Sequence, residues 1–136
     1  MLPSLYTRIV LAERPKANFT PTTFRKETVA FDLKPGPGEA LVRVDWLSLD
    51  PTMRHWVRET PFYLEPVQIG AVMRCIGLGT VLEAGEGCEL RPGDVVSCLT
   101  GKRLLRRGCT FALLSPRAGW TEYAVIKENE VFQKVM

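Results

Sequence analysis

Four cysteines and one histidine are the residues in this 136-residue chain best suited to hold a metal or carry redox chemistry. Cys75, Cys88, Cys98 and Cys109 lie 13, 10 and 11 residues apart, and His55 is the only imidazole. Zinc knuckles and redox dithiols both need closely spaced cysteine pairs, so neither fits. His55 would share a short helical face with Pro51 and Arg58, and with no carboxylate partner in reach of the pattern it reads as a solvated histidine. Arg54 has two readings, a contact to the phosphates of a cofactor or an acidic substrate, and a structural salt bridge. Gly77-Leu78-Gly79 is the nearest approach to a glycine-rich phosphate turn, but neither a further glycine at the right spacing nor a helix follows, and a strand bend is the expectation.

The net charge is +3, yet Lys102, Arg103, Arg106, Arg107 and Arg117 all fall between Thr100 and Ala118, a stretch without an acid. Taking those five charges from +3 leaves the rest of the chain at −2. Basicity therefore belongs to one segment, which lacks the aromatic interleaving of nucleic-acid binders. A hydrophobic fraction of 46% with 24% charged residues is that of a folding globular domain. No run approaches the length that crosses a bilayer, and the N-terminus has no uninterrupted apolar core of a signal peptide. A cytoplasmic protein with reduced thiols is expected.

The elements that must position these residues are mostly strands, punctuated by proline and glycine. Leu5 to Ala12 and Thr28 to Leu33 read as the first two, and the run Lys34-Pro35-Gly36-Pro37-Gly38 as a turn. Glu39 to Leu49 alternates Val42, Val44 and Trp46 against Leu41, Arg43 and Asp45, the pattern of a half-buried strand. Asp50-Pro51 has the chemistry of a helix start, with a carboxylate to accept free amides, and a short helix to about Val57 should follow. Val72 to Ala84, interrupted by Gly77 and Gly79, suits a bent or bulged strand. Arg91-Pro92-Gly93-Asp94 predicts a type II turn, and Val95 to Leu99, Trp120 to Ile126 and Val131 to Val135 predict closing strands. Tyr123, alternating with Thr121 and Val125, is expected in the core.

Five spaced strings carry a resemblance: PGPGEALVRV at 35–44, SLDPTMR at 48–54, PVQIGAVMR at 66–74, RPGDVV at 91–96 and GWTEYAV at 119–125. In this order they resemble the leukotriene B4 dehydrogenase/prostaglandin reductase and alkenal reductase branch of the zinc-free medium-chain dehydrogenases/reductases. The resemblance implies a mainly β fold, a GroES-like, partly open β-barrel with one or two short helices, covering residues 1–136 as the N-terminal catalytic domain. It further implies a Rossmann domain for NADPH, whose glycine-rich βαβ unit this sequence lacks, so the chain is expected to be inactive alone. Zinc-dependent relatives carry a cysteine and a G-H-E motif where Leu47-Ser48-Leu49-Asp50 and Gly70-Ala71-Val72 stand here, so no metal is expected. The implied activity is NADPH-dependent reduction of activated C=C bonds in small enones or enals.

By the same resemblance Thr52, Arg54 and Tyr63 belong to the substrate pocket, and Pro51 and Met53 lie beside the cofactor. Thr52 departs from the family's usual tyrosine, keeping a hydroxyl and losing a stacking ring. Ala71 replaces a family glutamate. Tyr63 sits in a segment the family uses as a flap. Residues 100–118 have no counterpart and read as an insertion, either a basic loop or translated non-coding sequence. Phe111 to Leu114, apolar side chains with nothing evident to cover them, favour the latter. The competing expectation is a non-catalytic binding or scaffold module that associates, as a homo-oligomer, through the cleft face. Neither nucleic acid nor membrane is an expected partner.

Overall fold

The computed structural model describes residues 1–61, 65–100 and 119–135. Strands β1 (Leu5–Leu11) and β2 (Phe24–Ala30) form an antiparallel hairpin, with Leu5 opposite Ala30 and Leu11 opposite Phe24. The second sheet holds β3 (Glu39–Leu47), β4 (Cys75–Ala84), β5 (Val95–Thr100), β6 (Tyr123–Lys127) and β7 (Val131–Val135). Its order is β6-β3-β4-β5-β7, and every pairing in it is antiparallel. One helix, α1 (Met53–Trp56), follows β3, and a 3-10 turn at Glu128–Glu130 joins β6 to β7. The fold is mainly β and GroES-like, as the resemblance implied. Among the described residues the two sheets are stitched together and no closed barrel forms.

The stitching runs through β1. Its second edge bonds irregular segments of the rest of the domain: the Ile9 amide donates to the Trp120 carbonyl at 2.7 Å, and the Leu11 amide to the Ala71 carbonyl at 3.0 Å. Isolated bridges pair Arg8 with Thr121 and Val10 with Val72. The long apolar stretch from Val72 thus begins as a bridge to β1 and becomes β4 only at Cys75.

Three apolar clusters follow from strand alternation. Ala40, Val42, Val81, Val96 and Ile126 fill one face of the large sheet. Leu41 and Val125 point the other way, onto Tyr6 and Leu33 of the hairpin side. Tyr123 joins that second cluster as expected, its ring 5.1 Å from Phe31 in an edge-on contact. The third cluster packs Leu11, Met73 and Cys75 against Met53, Trp56 and Val57 of α1 and its end.

Two expectations need correction. The alternation placing Trp46 beside Val42 and Val44 fails because the register shifts between Val44 and Trp46: Val44 faces Gly79 while Trp46 faces the adjacent Leu78. Asp45 is therefore the extra residue of a β-bulge, which turns Trp46 to the opposite face, where it is 73% exposed. The second is the helix start. Thr52, not Asp50, is the N-cap residue, no side-chain bond caps it, and the Asp50 carboxylate instead accepts from the Ser48 hydroxyl. The helix is four residues long, shorter than the span to Val57. The second strand also starts earlier than its β-branched run suggested, because pairing with β1 extends it back to Phe24.

Glycine requirements are sharpest where backbones meet. A Cβ on Gly79 would lie 2.4 Å from Val42 Cγ1 and 2.5 Å from the Arg43 carbonyl oxygen, so the predicted bend is a close crossing beside the bulge. At the 91–94 turn, Gly93 has φ +93° and the Asp94 amide donates to the Arg91 carbonyl, matching the type II expectation.

One side chain of the β1–β2 connection is fixed to the segment that follows α1. Arg14 donates from Nη1 to the Val57 and Arg58 carbonyls at 3.0 and 2.9 Å, and from Nη2 to Val67 at 3.0 Å. A planar fork meets three carbonyls in a geometry that an ammonium does not match. Arg14→Lys is expected to lower stability by about 1.5–3 kcal/mol, the range for lost bonds to a charged donor, in urea unfolding. A loss below about 0.5 kcal/mol would show that this clamp is idle.

Candidate functional site

The end of β3 leads into the region of interest. Bulge residue Asp45 takes part in a surface network, accepting from Arg43 Nε at 2.7 Å and from the Thr80 hydroxyl at 2.6 Å. Burial pushes its carboxyl up, but the bonds from Arg43 and Thr80 outweigh that and hold it below the usual aspartate range. On the hairpin, bonds from Arg25 and then Arg8 likewise hold the Glu27 carboxyl low. Both carboxylates are therefore charged acceptors at neutral pH, and neither is poised as a general acid.

Beside the bulge lies an apolar cleft of about 450 Å³, lined by Ile9, Val44, Leu47, Leu49 and Trp120. Leu47 and Leu49 are 41% and 73% exposed, large apolar groups presented at one place. Trp120 packs on Phe24, ring centroids 4.9 Å apart, and its buried indole N–H has no acceptor among the described residues. Thr121, next along, is buried and donates to the Tyr123 carbonyl at 3.0 Å. An apolar pocket with few polar groups suits a planar, weakly polar organic molecule.

A second cleft, of about 670 Å³ and more polar, lies between the β1–β2 connection and α1. Arg14, Lys16, Arg54 and Arg58 line it, with Glu59. Arg54 reaches back to the Ala17 carbonyl and lies over the Phe19 ring at 5.8 Å. Among the described residues Arg54 forms no salt bridge; a carbonyl and a ring hold it instead.

The expected site residues occupy different settings. Pro51 is exposed and Thr52 half-buried at the start of α1. The Met53 side chain is 6% exposed and packs within the third cluster. Arg54 lines the polar cleft, while Pro51, Thr52 and Met53 line neither cleft. His55 is half-buried, and Ala71 packs against the third cluster, its carbonyl bound by Leu11. Tyr63 lies outside the described residues, as does the insertion from 101 to 118. Sequence reasoning missed Ile9, Leu47, Leu49 and Trp120. The exposed leucines follow from the bulge, which carries no sequence signal, while the string GWTEYAV marked Trp120 without assigning it a role.

Among the described residues no cluster of three or more histidine, cysteine or acidic side chains is arranged to hold a metal. No helix among them is long and apolar enough to cross a membrane. Antiparallel sheets, a stitched hairpin and, among the described residues, one short helix ahead of an apolar cleft fit the GroES-like domain that the resemblance implied.

Comparison with known proteins gives that class a family. Residues 7–105 match the family described as the N-terminal domain of oxidoreductase, and the chain belongs to it. It is 47% identical over 96 residues to the NADPH-dependent curcumin reductase of Escherichia coli strain K12, covering 69% of this chain and 27% of that protein. A putative NADP-dependent oxidoreductase, YfmJ of Bacillus subtilis strain 168, is 34% identical over 90 residues, covering 65% of this chain and 25% of the relative. Among solved structures, CurA from Vibrio vulnificus superposes with a TM-score of 0.71 at 29% identity, over 93% of this chain and 31% of that one. The chain thus spans about a quarter to a third of the length of these relatives.

Proposed function

We propose that this chain is the substrate-side N-terminal domain of an NADPH-dependent reductase of carbon–carbon double bonds conjugated to a carbonyl. The observation that carries the reading is the 47% identity to an NADPH-dependent curcumin reductase. The apolar cleft at the end of β3, of a size suited to a small organic molecule, supports it. In this reading residues 1–136 form one domain interrupted by an insertion at 100–118.

The described residues do not fit a dinucleotide by themselves. Their strands pair antiparallel and the only helix among them has four residues, so they offer no strand-turn-helix cradle for a pyrophosphate. NADPH, the hydride source of such reductases, is assigned here to a separate dinucleotide domain. This chain's own residues wall the pocket and exclude water. The apolar cleft is walled by Ile9, Val44, Leu47, Leu49 and Trp120; the family resemblance assigns Thr52, Arg54 and Tyr63 to the substrate side and Pro51 with Met53 to the nicotinamide side of the complete enzyme's active site. Threonine at 52 offers a hydroxyl without the stacking ring of the family's usual tyrosine. No metal takes part, and the setting is cytoplasmic.

A chimera tests this reading. Residues 1–136 are joined to the remainder of the Escherichia coli curcumin reductase in place of its matching N-terminal part, and NADPH oxidation is followed with curcumin and small enones. The chimera is expected to turn over an enone, and the 136-residue chain alone to show none. Turnover by the isolated chain would overturn the division of labour. A folded chimera that binds NADPH yet reduces no enone would favour the scaffold reading, for which the exposed Trp46, Leu47 and Leu49 are the supporting feature.

A further inference from the structure

We propose that the polar cleft between the β1–β2 connection and α1 binds the phosphate or carboxylate oxygens of a small polar ligand. The inference does not depend on the reductase reading. It starts from charge: four cationic side chains, Arg14, Lys16, Arg54 and Arg58, line the cleft against one carboxylate, Glu59. Elsewhere three arginines are ion-paired, Arg8 and Arg25 with Glu27 and Arg43 with Asp45, at 2.7–3.0 Å. None of the four cleft cations forms such a pair with the described residues. Arg54 lies in α1 and Arg58 two residues past its last residue, and both line the cleft. An oxyanion entering the cleft offsets this excess of positive charge.

The geometry also separates fixed charge from free donors. Arg14 is locked by three carbonyls, and Arg54 by the Ala17 carbonyl and the Phe19 ring. They give a preorganised positive floor whose ordering has already been met by folding. Lys16 and Arg58 make no hydrogen bond or ion pair through their side chains with the described residues and can close on a ligand. At about 670 Å³ the cleft exceeds the volume of a bare ion, so the anion is a group on a larger molecule, and the polar walls disfavour a lipid chain. Glu59 at the rim would repel a misplaced anion and help fix its orientation.

The test titrates the full 136-residue chain, labelled with nitrogen-15, with inorganic phosphate, succinate and NADP+ at constant ionic strength, following arginine Nε–H signals. Saturable shifts confined to Arg14, Arg54 and Arg58 are expected, with the tightest ligand naming the source. Tightest binding of NADP+ indicates a nucleotide phosphate, and of succinate an acidic substrate. The double variant Lys16→Glu/Arg58→Glu is expected to bind at least tenfold more weakly, and Arg91→Glu, a charge change at the distant 91–94 turn, to bind as the parent does. Amide spectra check that each variant is folded, and Arg58→Gln, with a smaller expected loss, replaces the double variant if that one is not. Shifts that grow linearly and equally at Arg91, or an affinity unchanged by the cleft variants, would overturn the site.

Discussion

Replacing Gly119 with alanine is expected to destabilise the domain by about 3 kcal/mol or more, among the larger effects a single core-adjacent change produces. Gly119 has φ +152°, and a Cβ there would stand 1.9 Å from the Met73 carbonyl oxygen and 2.7 Å from its carbon. Both neighbours are backbone, so no side chain can swing aside. The same Met73 carbonyl accepts the Trp120 amide at 2.7 Å, which means a displaced Gly119 also loosens the bond that seats Trp120. Gly87, with φ +71° and nothing within 4 Å of a Cβ, isolates the conformational part of the effect. Gly87→Ala should cost only about 1–2 kcal/mol, the penalty for an L-residue in the left-handed region. Equal losses for the two variants in urea unfolding would show that the close approach at Gly119 relaxes freely.

Trp56→Ala is expected to cost about 3–5 kcal/mol, the range for removing a large buried aromatic. Its ring is 5% exposed, its carbonyl accepts the Val67 amide at 2.7 Å, and Arg74 lies 5.7 Å over its face. Arg74 is itself anchored, donating to the Glu65 carbonyl at 2.7 Å. A helix of four residues cannot stand on intrinsic propensity, so tertiary packing through Met53 and Trp56 holds it. Thr52 and Arg54 depend on that packing, and in the enone-reducing chimera the same change should lower turnover beyond what the stability loss explains. A loss under about 1 kcal/mol would mean that Arg14, rather than Trp56, keeps α1 in place.

Strand existence was legible in the sequence because it rests on alternation and on proline and glycine punctuation. β7 falls on the residues expected, and the 91–94 turn was readable from Pro92 and Gly93 together. Ends and faces were less so. The carboxylate of Asp50 competes for two partners, the helix amides and the Ser48 hydroxyl, and composition does not say which prevails. The Asp45 bulge inverts the faces after Val44 for a reason that lies in the pairing with β4, a long-range fact. That inversion exposes Trp46, and with the leucines after it the apolar cleft lay beyond what local patterning reveals. The cationic cleft was half visible: Arg54 was marked from its motif, while Arg14 and Lys16 join it only because the hairpin connection folds back over α1.

The stitching of β1 also bears on how the domain is made. The Thr7 amide meets the Glu122 carboxylate at 2.6 Å across 115 residues of chain, and the Ile9 amide meets the Trp120 carbonyl. During translation the opening strand leaves the ribosome long before that partner exists, with only its hairpin mate to occupy one edge. Residues 71–73 can pair earlier with Ile9, Val10 and Leu11, but until that partner exists the Thr7 end of the other edge stays open to neighbouring nascent chains, and such distant closure is slow. Chaperone demand during synthesis should accordingly fall once the polypeptide has grown past residue 122 and that edge is sealed.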